Sequence, residues 1–185
     1  CALMGIEGGY VIENSLAALR NFYRLGVRYM TLTHNVSHDW ADAHRDAPKN
    51  NGLSEFGKEV VREMNRLGML VDISHVSVKV MNDVLDVSTA PIIASHSGAR
   101  GVNDHTRNVP DTVLKRLPKN GGVIMINFYP AFLDARTNQE ENARTAALKS
   151  QTDALKEQFK GGFQRSRAQI ARRKSDLHCA LHAHR

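Results

Sequence analysis

The sequence predicts an α/β fold built on a parallel sheet. Three observations point there. β-type runs alternate with segments of helical periodicity, giving about five β–α units in roughly 160 residues. Two of the runs, Leu70-Val71-Asp72-Ile73-Ser74-His75 and Pro91-Ile92-Ile93-Ala94-Ser95-His96, end in the same Ser-His pair, with a helix-like segment between them. Four polar groups, Glu7, His34, His75 and His96, close β-type runs, and carboxyl ends of parallel strands are where such folds seat ligands. A (β/α)8 barrel of about 250 residues and a doubly wound open sheet both fit the alternation.

The elements follow in order. Ala2–Ile6 is the first strand, and Glu7-Gly8-Gly9 permits a tight turn after it. Asn14 or Ser15 caps a helix with Leu16, Leu19, Phe22 and Leu25 on one face, ended by Gly26. Val27–Thr33 alternates as a strand and runs into His34. A long polar loop, Asn35–Leu53, carries the only tryptophan, Trp40. Ser54 opens a helix with Phe56, Val60, Val61, Met64 and Leu67 apolar and Gly68 as its C′ residue. Met69–Ser74 is the third strand, Ser77 caps the third helix, and Pro91–Ser95 is the fourth strand. A polar loop holds His105 and Arg107, and Pro110-Asp111 begins a short helix through Leu117. Val123–Phe128 is the fifth strand, and Arg136–Lys160 reads as a solvent-facing helix.

The net charge of +6 is local. Of 25 basic and 19 acidic side chains, seven and one lie in residues 160–185, which leaves 18 of each elsewhere. A neutral body argues against a nucleic-acid-binding domain. No run approaches the ~20 apolar residues of a membrane helix. Cys1 and Cys179 define no disulfide framework. The chain starts inside an apolar run, which reads as a fragment. Periodicity ends near Gly161, so 161–185 reads as a basic tail, disordered or non-native. Its His178, Cys179, His182 and His184 are read as a decoy and not a metal site, because no apolar periodicity there predicts a fixed scaffold.

The sequence contains no G-x-G-x-x-G after Glu7, no G-x-x-x-x-G-K-[ST] and no G-x-S-x-G, which disfavours nucleotide binding and serine-hydrolase chemistry. Imidazoles with a carboxylate suit Zn²⁺ or a similar ion. Taken singly, a strand-end histidine is by default a hydrogen-bonded structural residue, and the repeated Ser-His raises the case for ligation. Strict alternation puts these groups on the side of Gly5, Met30, Val71 and Ala94, with Asp72 and Ser74 facing the helices. His38, His44 and His105 read as solvated loop residues, Arg107 as a surface ion pair, and Tyr129 and Phe132 as packing or pocket-wall residues.

The stretches GIEGGYVIENSLAALRNFYRLGVRYMTLTHN, GLSEFGKEVVREMNRLGMLVDISHVS, PIIASHSGARGVNDHTRNVPD and GGVIMINFYP resemble the membrane (renal) dipeptidase family, in particular its bacterial members. The resemblance covers residues 2 to about 135. It implies a (β/α)8 TIM-type barrel, present here as an incomplete barrel, and a zinc dipeptidase acting through a zinc-bridged hydroxide, with two zinc ions per intact site. Carried over by residue, Glu7 is the bridging carboxylate, and His75 and His96 are the imidazole ligands of one zinc. His34 faces the scissile carbonyl as a catalytic and substrate-binding group, and Arg107 pairs with the dipeptide carboxylate. The family's His-x-Asp on the first strand and its late aspartate find no match, so weak activity is expected of a truncated or frameshifted chain. The domains read as 1–135 barrel, 136–160 helical insertion and 161–185 tail. A catalytically inactive remnant or binding module, and a related amide or lactone hydrolase, are the alternatives. A dipeptide substrate, no nucleic acid, no membrane segment and a possible homodimer complete the expectations. Location is open between exported and cytoplasmic.

Overall fold

The computed structural model describes residues 2–154 together with 156 and 157. Cys1 and the basic tail, with His178, Cys179, His182 and His184, lie outside the described residues. The chain divides into residues 1–138 and 139–185. In the second unit residues 139–154 are helical and, apart from a half-buried residue 141, exposed. The sheet and the candidate site belong to the first.

Five strands form one parallel sheet in chain order: β1 (Met4–Glu7), β2 (Val27–Thr31), β3 (Leu70–Asp72), β4 (Ile93–Ser97) and β5 (Val123–Ile126). Sequential order is that of a (β/α)8 barrel; a doubly wound sheet reverses direction at a switch point. The crossovers between the first four strands carry α1 (Leu16–Arg24), α2 (Glu55–Leu67) and α3 (Val78–Val87). The side chains of Ser15, Ser54 and Ser77 accept the N–H of Ala18, Gly57 and Val80, so each helix starts at a serine cap. Gly68 closes α2 in the left-handed region at φ 77°, a conformation glycine adopts at no Cβ cost. The segment expected as one short helix after Pro110 is two, α4 (Asp111–Leu114) and α5 (Leu117–Asn120), and α6 (Pro130–Leu133) follows β5.

The register corrects the facing expected from simple alternation. Ile6, Met30 and Val71 align across the sheet and belong, with Ile92, Ala94 and Ile124, to the core shared with Val60, Met64, Val80 and Val84 of the helices. That face is the helix side. Gly5 aligns with Tyr29, and Glu7 with Thr31 and Asp72, on the opposite face. Asp72 therefore shares the face of Glu7 and does not point at the helices. Simple alternation does not reach the histidines, because they lie where regular pairing has ended. His34 and His75 follow the last residues of β2 and β3, and His96 sits at a register shift between Ala94 and Ser97.

The sheet is strongly curled. Glu7 on β1 and His96 on β4 are separated by two strands, yet their side chains approach to 3.1 Å. In a flat sheet their strands would stand roughly 14 Å apart.

Candidate metal centre

Three local devices aim the site residues. Glu7 ends β1, and the next two residues are pinned by Gly8 N–H to the Thr31 carbonyl and Gly9 N–H to the Leu32 carbonyl, each 3.1 Å. A Cβ on Gly9 would stand 2.3 Å from the Trp40 ring and 2.6 Å from the Leu32 carbonyl oxygen, so only glycine fits this close approach. His75 is buried and left-handed, at φ 67°. That conformation is costly for a residue with a Cβ. It is held by the His75 carbonyl, which accepts the Thr33 hydroxyl at 3.1 Å and the His44 N–H at 2.8 Å. His96 is anchored by its own N–H, which donates to the Ser74 hydroxyl at 3.0 Å.

These devices bring three donor atoms into a triangle. Glu7 Oε1 lies 3.0 Å from His75 Nε2 and 3.1 Å from His96 Nε2, and the two nitrogens are 2.9 Å apart. A tetrahedral ion with bonds of about 2.0–2.1 Å holds its donors roughly 3.3 Å apart, so two imidazoles and a carboxylate at this spacing suit zinc. His34 joins more loosely. Its ring centroid is 4.5 Å from that of His75, and donor atoms of Glu7, His34 and His75 lie within 4.8 Å of one another. Two triads thus share Glu7 and His75, and the one completed by His96 is the tighter.

The electrostatics keep His75 neutral. Burial, then the charge of Arg107 and the neighbouring imidazoles, pushes it down to about 2. Its contact with Glu7 is therefore no ion pair at neutral pH, and an uncharged imidazole is the ligating form. His44 is pushed down to about 3, again by burial first and Arg107 second.

Arg107 is buried rather than a surface ion pair. Its Nη2 donates to the His96 carbonyl at 2.9 Å, its backbone N–H donates to His105 Nδ1 at 3.0 Å, and its guanidinium lies 5.3 Å from the Phe132 ring centre. Burial lowers it to about 10, with Glu7 opposing that shift, so it stays cationic at neutral pH. Asn103 and Asn108 donate to the Ala131 and Phe132 carbonyls and fix this loop against α6.

The loop histidines expected to be solvated are not. His105 is buried, His38 meets the Leu32 carbonyl at 2.9 Å, and His44 meets the Thr106 hydroxyl at 2.9 Å while its ring faces His75. A cleft lined by Gly5, Glu7, Tyr29, Thr31, His96 and Asn127 opens beside the triangle. Tyr29 and Asn127 carry no motif and were not singled out in the sequence, and His44 was read there as a solvated loop residue. Asp72 was read as facing the helices, although its place two residues before a Ser-His pair was a signal.

A curled parallel β/α sheet with imidazoles and a carboxylate gathered beyond its strand ends defines the class of barrel-type metal-dependent enzymes. The chain belongs to the membrane dipeptidase family, peptidase family M19, which matches residues 1–159. It is 56% identical over 133 residues to an uncharacterized dipeptidase of Schizosaccharomyces pombe, covering 71% of this chain and 32% of that protein. It is also 56% identical over 132 residues to dipeptidase tcpJ of Claviceps purpurea, covering 70% and 31%. Among solved structures, the probable dipeptidase PvdM of Pseudomonas aeruginosa superposes with a TM-score of 0.69 at 35% identity, covering 71% of this chain and 34% of that one. A metallopeptidase of Rhodobacter sphaeroides, liganded with a phosphinate mimic of the dipeptide L-Ala-D-Ala, gives 0.63 at 32%, covering 71% and 39%. The chain spans about a third of the length of the curated relatives it matches.

Proposed function

We propose that this centre serves the hydrolysis of dipeptides, with Glu7, His75 and His96 holding one zinc ion. The observation that carries the reading is the 2.9–3.1 Å triangle of Glu7 Oε1, His75 Nε2 and His96 Nε2. Membership of a dipeptidase family supports it. Zinc, when bound, supplies Lewis acidity and brings a water's pKa close to neutral. The chain's own residues do the rest. Glu7 offers one oxygen to the triangle and, as a carboxylate, has a second for a neighbouring ion. His34, beside His75, donates a hydrogen bond to the scissile carbonyl oxygen as negative charge develops there. Arg107 pairs with the substrate's terminal carboxylate, for which a planar guanidinium is suited. Tyr29 and Asn127 form the wall of the cleft beside the triangle, against which the substrate would lie.

The test is zinc content and turnover of the full 185-residue chain. One zinc per chain is expected, held by the tighter triad of Glu7, His75 and His96. Weak dipeptide turnover is expected with it. A His75→Ala/His96→Ala double variant should lose the metal. Zinc content equal in the two proteins would overturn the reading, and turnover of cyclic amides or lactones in place of dipeptides would redirect it.

A further inference from the structure

We propose that Asp72 is a positioning residue for this centre: through the Ser95 hydroxyl it holds His96 in the Nδ1–H tautomer, which leaves Nε2 as the free donor. The inference rests on the metal reading above and deepens it.

Asp72 is fully buried at the end of β3. Its Oδ1 accepts the backbone N–H of Ser74 and of Ser95, each at 3.0 Å. Its Oδ2 accepts the Thr31 hydroxyl at 2.6 Å and the Ser95 hydroxyl at 2.5 Å. Ser95 Oγ also lies 2.7 Å from His96 Nδ1. A serine hydroxyl has one proton. A carboxylate accepts only, so at 2.5 Å the Ser95 proton lies towards Asp72. The Ser95 oxygen must then accept from His96, and the imidazole proton sits on Nδ1. Nε2 is left with its lone pair, aimed at Glu7 and His75. Metal-bound histidines characteristically have the other ring nitrogen fixed in this way.

Two features make the chain of contacts specific. Adjacent residues of a regular strand face opposite sides, and the register shift between Ala94 and Ser97 frees Ser95 and His96 from that rule. One therefore reaches Asp72 while the other reaches Glu7. His75 has no such support, since its buried Nδ1 finds no hydrogen-bond partner among the described residues. His96 is thus the preorganised member of the pair.

The experiment uses the full chain, free of metal, with long-range ¹H–¹⁵N correlation spectra of the imidazoles and His96→Gln to assign the signal. Zinc alone is then titrated against a chromophoric chelator. The unmodified chain should show His96 as the Nδ1–H tautomer. Ser95→Ala should give a tautomer mixture and a roughly 10–100-fold weaker zinc affinity, and Ser95→Thr should restore both. Asp72→Asn should turn its amide towards Ser95, reverse the hydroxyl and shift His96 to Nε2–H. An Nε2–H tautomer in the unmodified chain overturns the proposal, as do Ser95→Ala and Asp72→Asn spectra that match it. If the unmodified chain takes up no zinc, the metal reading fails, and the spectrum alone still decides the tautomer.

Discussion

Ser74 Oγ accepts the backbone N–H of His96 at 3.0 Å, so the two Ser-His strand ends are joined to each other. The serine of the first pair fixes the histidine of the second. Ser74 is fully buried and also lies 3.4 Å from the Ser97 hydroxyl. Ser74→Ala should leave the His96 N–H without its partner and cost about 1–3 kcal/mol. Urea denaturation measures this, and weaker zinc binding should accompany it.

Gly9 supplies a second mechanical test. Gly9→Ala forces a Cβ against the Trp40 ring and the Leu32 carbonyl. Overpacking of this kind costs roughly 1–3 kcal/mol. Relief by shifting the β1 end would move Glu7, so both the melting temperature and zinc affinity should fall. An unchanged zinc affinity would mean that Glu7 is positioned independently of the turn.

Arg107 should act on the substrate's carboxylate specifically. Arg107→Lys keeps the charge and loses the planar fork. Binding of a dipeptide should weaken by about tenfold or more, on the scale of one charge-assisted hydrogen bond. Binding of the same dipeptide with an amidated terminus should change little. Equal losses for both ligands, measured by calorimetry, would place the guanidinium in a purely structural role over Phe132.

Acid stability should report on Glu63, far from the centre. Its carboxylate meets Arg66 and Arg20, each at 2.6 Å. The hydrogen bond from Arg66 is the main cause that lowers it from 4.5 to about 2, with Arg20 assisting. A lowered carboxyl pKa stabilises the fold fully above about pH 4.5, and that contribution disappears as pH falls towards 2. Both arginines are substantially solvent-exposed, so solvent screening limits the effect to about 1 kcal/mol or less. Glu63→Gln should be less stable than the unmodified chain at pH 7, with the gap closing near pH 2 in pH-dependent denaturation.

The sequence revealed the strands and the helices between them because each carries its own period and cap. Ser15, Ser54 and Ser77 mark helix starts, and the structure uses all three. Glu7, His34, His75 and His96 were legible as strand-end groups, and they meet. What was not legible is which way each side chain turns after its strand has ended. His75 is aimed by a left-handed backbone, and His96 by a register shift. Neither leaves a mark in apolar periodicity, and Asp72 was assigned to the wrong face for that reason. The burial of His105 and Arg107 was hidden as well, because it comes from α6 folding over a polar loop.

The curl that brings β1 against β4 has a kinetic consequence. Glu7 and His96 meet across a sheet in which β2 and β3 lie between their strands. The donor triangle is thus a long-range contact that chain collapse alone cannot make, and such contacts are slow to form. During refolding, zinc capture should lag behind helix formation and coincide with docking of β4. A metal-sensitive dye in stopped flow would then act as a clock for completion of the sheet.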